Sequence, residues 1–363
     1  MKPLRILLLF ASSARNRTLS YQAGWPRHFA RHPLFRCSGL NLEATGVFDN
    51  LRKRLILRLR DFEAVVILHS VFSNSCLLSG KLLETVKALR VPKIFFIGNE
   101  YKLMPEKMEF CEKLGLALLI SQSNSPEVHR LYRERLGCQV AEIPNTGLDT
   151  GLFCPGPPLE SRPVDLGYRS ARSPLYLGHD ERTRIVEFFQ EYGPSQGLVV
   201  DLSLDPARRF SEKEWAVFLG RCKGQLGTEA GGDCFELDDR TRHRINSYVN
   251  GHPGTAMEEV FELFFRDYRN PVPLRIISGR NVEAAGTKTV QILFEGRYSG
   301  YLQPDVHYIP LKKDFSNIAE AMTKFRDRDF CRELTENAFE LASREFTYEK
   351  LIEKFYHQLK QIL

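Results

Sequence analysis

The chain has 363 residues, 43% of them hydrophobic, which is enough material for two domains of ordinary size, each with its own core. Its 51 basic and 45 acidic residues leave a net charge of +6, too mild to require nucleic acid but in favour of phosphate-bearing or anionic partners. The eight cysteines show no C-x-x-C and no histidines at zinc-finger spacing, and no apolar run approaches the ~20 residues that span a bilayer, so a reduced, soluble or membrane-peripheral protein is expected.

From the start of the chain, Ile6 to Ala11 is too short for the apolar core of a signal peptide, and Leu4 to Phe10 reads as a buried strand. Further short apolar runs follow at Glu63–His69, Lys93–Gly98 and Leu116–Ser121, separated by amphipathic stretches. Continuous apolar strands alternating with helices predict an open parallel sheet covered on both faces. Ligands of such domains bind at the carboxyl ends of the strands, which points to the loops at Ser12–Arg17, His69–Ser75 and Asn99–Tyr101.

Within this first half, FDNLRKRLILRLRDF (Phe48–Phe62) sets Leu51, Leu55 and Leu59 on one helical face among Arg52, Lys53, Arg54, Arg58 and Arg60. Such a helix either covers the sheet with a basic outer face or lies against anionic lipid. SYQAGWPRHF (Ser20–Phe29) offers Trp25 and Phe29 either to an acceptor or to the core. His69 and Glu100 each follow an apolar strand, where either can take a hydroxyl proton or hydrogen-bond a sugar, or serve structure alone.

The Pro- and Gly-rich stretch Ile143–Pro163 has no helical or strand period and reads as a crossing between domains. Beyond it the alternation resumes, with strands expected at Leu198–Leu202, Leu274–Ile277 and Thr289–Phe294 and helices at Glu212–Arg221 and Met257–Tyr268. Three helical stretches end the chain, the last with Leu351, Phe355, Leu359 and Leu363 on one face.

The segment SGRNVEAAGTKTVQILFEG (Ser278–Gly296) carries the most chemistry. Ser278 and Gly279 end a strand and open a short helix whose first amides, at Asn281 among others, suit a diphosphate. Arg280 offers two parallel donors to phosphate oxygens, and Glu283 can accept from the two vicinal hydroxyls of a ribose. Small residues at Ala284, Ala285 and Gly286 would let the helix start approach its ligand. The competing reading is a capped surface helix with Glu in its first turn.

IPNTGLDTGLFCP (Ile143–Pro155) resembles the N-G-V-D-x-x-x-F-x-P crossing of glycosyltransferases of the GT-B fold, and RNVEAAGTKTVQILFEG resembles their R-x-x-E-A-x-A-x-G-T segment. Val164–Gly178, Gln225–Asp239, Tyr298–Ile318 and, more loosely, Phe95–Tyr101 are similar to the bacterial glycosyltransferase group 1 and spore-maturation-protein-like families. The resemblance implies two Rossmann-like α/β domains facing an interdomain cleft: an acceptor domain over 1–143, a linker over 144–163, a nucleotide-sugar domain over 164–343, and a C-terminal helix over 344–363 crossing back to the first domain.

It further implies transfer of a sugar from a nucleotide-diphosphate-sugar to a hydroxyl of a surface polysaccharide, glycolipid or protein glycan, with no cofactor. Carried over to this chain, Glu283 holds the ribose and Arg280 a phosphate or sugar. A second glutamate eight positions earlier is replaced by Arg275, and the nearest substitute is Glu229, where Gly231 and Gly232 would let backbone amides reach the sugar or its phosphates. The alternative there is a glycine turn with an exposed Glu. Arg169 and Arg172 either neutralise the departing diphosphate or form a solvated basic loop, as do Lys312 and Lys313. The expected mechanism uses no metal, since no D-x-D sits in a plausible strand-end loop. The expected setting is the cytoplasm, with peripheral membrane contact through 48–62.

Two other functional classes compete with transfer. A nucleotide-sugar-binding scaffold without turnover is motivated by Arg275. A dinucleotide oxidoreductase is disfavoured because no G-x-G-x-x-G follows an early strand, and nucleic-acid binding because the basic residues are dispersed rather than clustered with aromatics.

Overall fold

Runs of apolar residues that can be buried on both faces become the central strands of two parallel sheets. The computed structural model of the chain describes residues 2–12, 20–44, 46–59, 61–269 and 271–363, with the backbone alone at 47, 50, 52, 54, 58 and 59. Residues 13–17 of the first strand-end loop, Arg60, and the side chains of Arg52, Arg54, Arg58 and Leu59 therefore lie outside the described residues. No described helix is long and apolar enough to cross a membrane.

The first unit comprises 1–145, 235–239 and 348–363. In chain order it contains β1 (Leu4–Phe10), α1 (Ser20–Arg31), β2 (Phe35–Asn41), α2 (Val47–Leu59), β3 (Ala64–Ile67), α3 (Gly80–Ala88), β4 (Lys93–Phe96), α4 (Met104–Leu114), β5 (Leu118–Ser121), α5 (Pro126–Leu136) and β6 (Gln139–Glu142). The strands lie in the order β2-β1-β3-β4-β5-β6, all parallel. The chain steps from β1 to one side and then to the other, so the topological switch lies between β1 and β3, and His69 follows β3 there.

Trp25 and Phe29 are fully buried in this unit's core, and the Trp25 indole donates to the Asn145 carbonyl at 2.6 Å. They are packing residues rather than an acceptor surface. The last helix of the chain belongs to the same core: Leu351, Phe355 and Leu359 of Tyr348–Lys360 are buried among β1, β3 and β4 residues, whereas Leu363 is exposed beyond the helix end. Phe235, reached late in the chain, meets the Tyr132 ring edge-on at 5.2 Å.

The second unit comprises 146–234 and 240–347. It contains β7 (Val164–Arg169), α6 (Glu181–Ser195), β8 (Val200–Ser203), α7 (Glu212–Arg221), β9 (Cys222–Gly227), β10 (Ala230–Gly232), α8 (Arg240–Gly251), α9 (Met257–Val260), β11 (Leu274–Ile276), α10 (Gly279–Gly286), β12 (Val290–Phe294), β13 (Ile309–Leu311), α11 (Ile318–Arg326) and α12 (Arg328–Glu345). Its main sheet runs β13-β12-β9-β7-β8, all parallel, and β10 and β11 form a separate antiparallel ribbon.

The expected helix over Met257–Tyr268 narrows to α9 followed by a π turn at Phe261–Phe265. The stretch Ile143–Pro163 is divided between the units, for Leu148 and Phe153 are buried in the core of the second.

Candidate functional site

In the second unit the order β13-β12-β9-β7-β8 places the topological switch between β7 and β9, where a parallel sheet opens a crevice at its carboxyl edge. Helix α10 starts across that edge. Its first turn is fixed by Ser278, whose N–H and hydroxyl donate to Asn281 Oδ1 at 3.0 and 2.8 Å, while Asn281 Nδ2 donates to Gln291 Oε1 on β12 at 3.0 Å. Gln225 on β9 donates from Nε2 to the Arg280 carbonyl at 3.4 Å. The half-buried Arg280 side chain reaches the end of β7, with Nη2 3.3 Å from Ser170 Oγ and the guanidinium 5.6 Å over the Tyr168 ring. Three strands thus hold one helix start and one arginine at the switch point.

Glu283 lies one turn further and is only 5% exposed, and its Oε2 accepts from the Trp215 indole at 2.8 Å. Trp215 stands near the start of α7, where Ser211 and Glu214 cap each other, so the indole is a rigid donor that orients the carboxylate. Sequence reasoning misses Trp215. No local signal marks it, since its partner lies 68 residues away.

The small residues of α10 have a different cause from the one expected. A Cβ at Gly279 would stand 2.4 Å from Thr146 Oγ1, and one at Gly286 would stand 2.4 Å from Leu148 Cδ1. They make room for the segment entering the second unit, not for a ligand. Ala284 and Ala285 are buried in the same core as Leu148 and Phe153.

The other basic candidates separate. Arg169 is buried: Nη1 donates to the carbonyls of Tyr168 and Asp201 at 3.0 and 2.7 Å, Nη2 to Asp201 Oδ1 at 2.6 Å, and the guanidinium lies over the rings of Phe210 and Phe218. Its charge is spent inside the unit, which corrects its assignment to a departing diphosphate. Arg172 is exposed and pairs with Glu187 at 2.7 Å, so among the described residues it belongs to the α6 surface.

Glu229 also turns inward. Its Oε1 accepts from the N–H groups of Arg297 and Tyr298 at 3.1 and 2.7 Å, pinning the turn after β12. Burial raises its carboxyl pKa despite those bonds. It is a brace for that turn, neither an exposed Glu nor a free group facing a sugar.

Gly231 adopts φ +88°, and a Cβ there would stand 1.7 Å from the Leu274 carbonyl oxygen. A Cβ at Gly232 would stand 3.0 Å from the Leu177 carbonyl. Both glycines are accounted for by backbone packing in and beside the β10–β11 ribbon. Gly231→Ala is expected to cost about 2–4 kcal/mol and to lower the melting temperature visibly in a thermal melt.

Arg275, at the position where the resemblance led to a glutamate, is the hub of an ionic cluster built around the buried Glu181. It clasps Glu181 with Nη1 and Nη2 at 2.9 and 3.0 Å and bonds Asp233 at 2.7 Å, and Lys313 reaches Glu181 at 2.8 Å. Burial pushes the Glu181 carboxyl up, but Arg275, His179 and Lys313 outweigh it and hold the pKa down at about 2. His179 donates from Nε2 to the Gly231 carbonyl at 3.2 Å, and burial, with Arg275, lowers its pKa to about 4.

In the first unit Glu100 is turned inward. It accepts from Ser121 Oγ, Tyr132 Oη and the Gln122 N–H at 2.7–2.8 Å. Burial raises its pKa above the ordinary value even so. Lys107, fully buried, donates to the carbonyls of Gly98, Asn99 and Lys102 and holds the loop that carries Glu100. Glu100 is therefore a support for that loop and not an exposed base. His69 is buried beside the Tyr21 ring at 4.7 Å, its Nε2 unpartnered among the described residues, and burial drops its pKa to about 3. A neutral imidazole at the switch point of the first sheet results.

No family model matches the sequence, and no curated protein matches it. Solved structures do. A DNA-modifying β-glucosyltransferase, determined with and without its substrate uridine diphosphoglucose, is 10% identical over 98% of this chain and 100% of its own, at a TM-score of 0.59. Sucrose-phosphate synthase from Thermosynechococcus elongatus is 13% identical over 99% of this chain and 100% of its own, at 0.52. The HepE protein of Anabaena in complex with UDP is 11% identical with the same coverage, at 0.51. Identities this low speak to architecture alone, and the architecture agrees with the two sheets above: the chain has the GT-B fold, two Rossmann-like α/β units each built on its own parallel sheet.

Proposed function

We propose that the protein is a glycosyltransferase that takes a sugar from a nucleotide-diphosphate-sugar and passes it to an acceptor hydroxyl, with the nucleotide held at the start of α10. The observation that carries this reading is the meeting of Arg280, Ser170 and the capped first turn of α10 at the carboxyl edge of β7, β9 and β12, with Glu283 one turn behind. Amides at a helix start and a guanidinium suit a diphosphate, and they stabilise it most when charge builds on it as the sugar departs. Glu283, oriented by Trp215, is the acceptor for ribose hydroxyls. In this scheme Arg280 and the helix start supply the positive charge and no metal is needed, so transfer should survive chelation by EDTA.

Two of the structural neighbours were determined with uridine nucleotides, so UDP and UDP-sugars are the first donors to try. The acceptor classes remain a surface polysaccharide, a glycolipid or a protein glycan, with the first unit as the acceptor side. The resemblance of RNVEAAGTKTVQILFEG to the R-x-x-E-A-x-A-x-G-T segment supports a relation to the bacterial glycosyltransferase group 1 and spore-maturation-protein-like families. Eight free thiols fit a reducing cytoplasm.

Thermal melts with UDP, GDP, CMP and their sugars test the donor. A ligand at 100 times its Kd stabilises by about 2.7 kcal/mol, a shift of several degrees, and no shift with any of them would remove the donor assignment. Binding by the wild type with no turnover on any acceptor would favour a scaffold, a reading that the inward-turned Glu100 and Glu229 keep in contention.

A further inference from the structure

We propose that α2 is an interfacial helix that docks the first unit on an anionic lipid surface. The sequence allows its leucine stripe to be used up against the sheet, but Leu51 and Leu55 of that stripe are exposed. Phe48 is 87% exposed, Leu51 54% and Leu55 47%, and their spacing of three and then four residues puts them on one face. The helix is anchored to the unit by other groups: Ile56 is buried, and Lys53 Nζ donates to the Ala44 carbonyl. Exposed apolar residues scattered singly mean little, but a coherent outward stripe marks an interaction surface.

Charge selects the occupant. Between Phe48 and Phe62 the sequence holds Arg52, Lys53, Arg54, Arg58 and Arg60 against Asp49 and Asp61. A second copy of this chain, related by a two-fold axis, would bring the same basic helix against itself, so like charges would oppose the contact. An anionic bilayer satisfies both features. A helix lying in the interface plane buries its apolar face about 5–10 Å deep, and a segment with this excess of basic over acidic residues is drawn to acidic headgroups. The inference stands on the first unit alone and does not depend on the identity of the donor.

The test is sedimentation of the full chain with vesicles of phosphatidylcholine alone and of phosphatidylcholine with phosphatidylglycerol. Binding is expected to the anionic vesicles only, to weaken as salt is raised, and to fall by about tenfold or more in the triple variant Phe48→Ser, Leu51→Ser, Leu55→Ser. Because those side chains face outward, the variant should melt with the wild type; a lowered melting temperature would show that they are packed and would overturn the proposal. Leu55→Trp provides a second readout, a blue shift of the fluorescence of the introduced indole on adding anionic vesicles. Equal binding to both vesicle types, no binding, an unshifted emission spectrum for Leu55→Trp, or a wild-type dimer that the triple variant dissociates would each contradict lipid docking.

Discussion

Glu283→Gln is expected to keep the fold and to weaken nucleotide binding about 30-fold, a loss of about 2 kcal/mol. The amide oxygen of glutamine can still accept from the Trp215 indole, so the buried N–H keeps a partner and the melting temperature should stay within a few degrees of wild type. What is lost is the negative charge, which strengthens hydrogen bonds to ribose hydroxyls. Glu283→Ala should behave differently, since it also strands the buried indole N–H, adding a stability cost of about 1–3 kcal/mol. Nucleotide titration and a thermal melt on both variants separate the two contributions. Equal affinity for wild type and Glu283→Gln would make Glu283 a purely structural partner of Trp215.

The second large effect belongs to Arg275. Replacing it with Met removes both contacts that clasp Glu181 and leaves a carboxylate 4% exposed with Lys313 at 2.8 Å and the His179 ring, its Nδ1 4.0 Å away, beside it. Breaking a buried pair from one side costs about 3–5 kcal/mol, because the surviving charge has lost the group that offset its desolvation.

The pH dependence follows from Glu181. Its folded-state pKa of about 2 lies below the ordinary glutamate value of about 4.3, so its contribution to stability is full above the unfolded pKa and is lost as pH falls through about 2. Wild type should therefore lose about 3 kcal/mol over that acid range from this group. Arg275→Met should be less stable at neutral pH and show a flatter acid limb. Urea unfolding at a series of pH values measures both, and parallel acid limbs would show that Arg275 does not govern the Glu181 charge.

The first unit's central strands were legible because burial on both faces demands uninterrupted apolar sequence, as in LRILLLF and the run from Ala64 to Ile67, whereas β9 of the second sheet, CKGQLG, carries no such run. The first unit's edge strands were not legible either. Phe35–Asn41 reads FRCSGLN and Gln139–Glu142 reads QVAE, and a strand with one free edge and partly open faces carries no such run. Helix α10 was legible through Ser278 and Asn281, whose capping chemistry is local.

Side-chain direction was the part that sequence could not supply. Glu100, Glu229 and Arg169 have the residue types that catalysis and phosphate binding use, but each is claimed by partners distant in sequence: Tyr132 for the first, the Arg297 and Tyr298 amides for the second, Asp201 and two phenylalanines for the third. Arg275 shows the same limit from the other side. A residue that departs from the family pattern proved to be the centre of a cluster whose other members come from α6 and from the loops after β10 and β13. The sequence singled out α10, and it could not show that Glu100, Glu229 and Arg169 are held by partners inside their own units.

The claim that a nucleotide-sugar is cleaved at the start of α10 is tested most directly by the rate of nucleoside diphosphate release from UDP- and GDP-sugars, in wild type and in Arg280→Ala. Among the described residues the Arg280 guanidinium meets Tyr168 and Ser170 alone, so the variant should fold normally. Losing a positive charge aimed at the leaving diphosphate should lower kcat/KM by about 100-fold or more, with a smaller effect on nucleotide affinity. Equal rates in the variant and the wild type would place the chemistry elsewhere in the molecule and contradict the account.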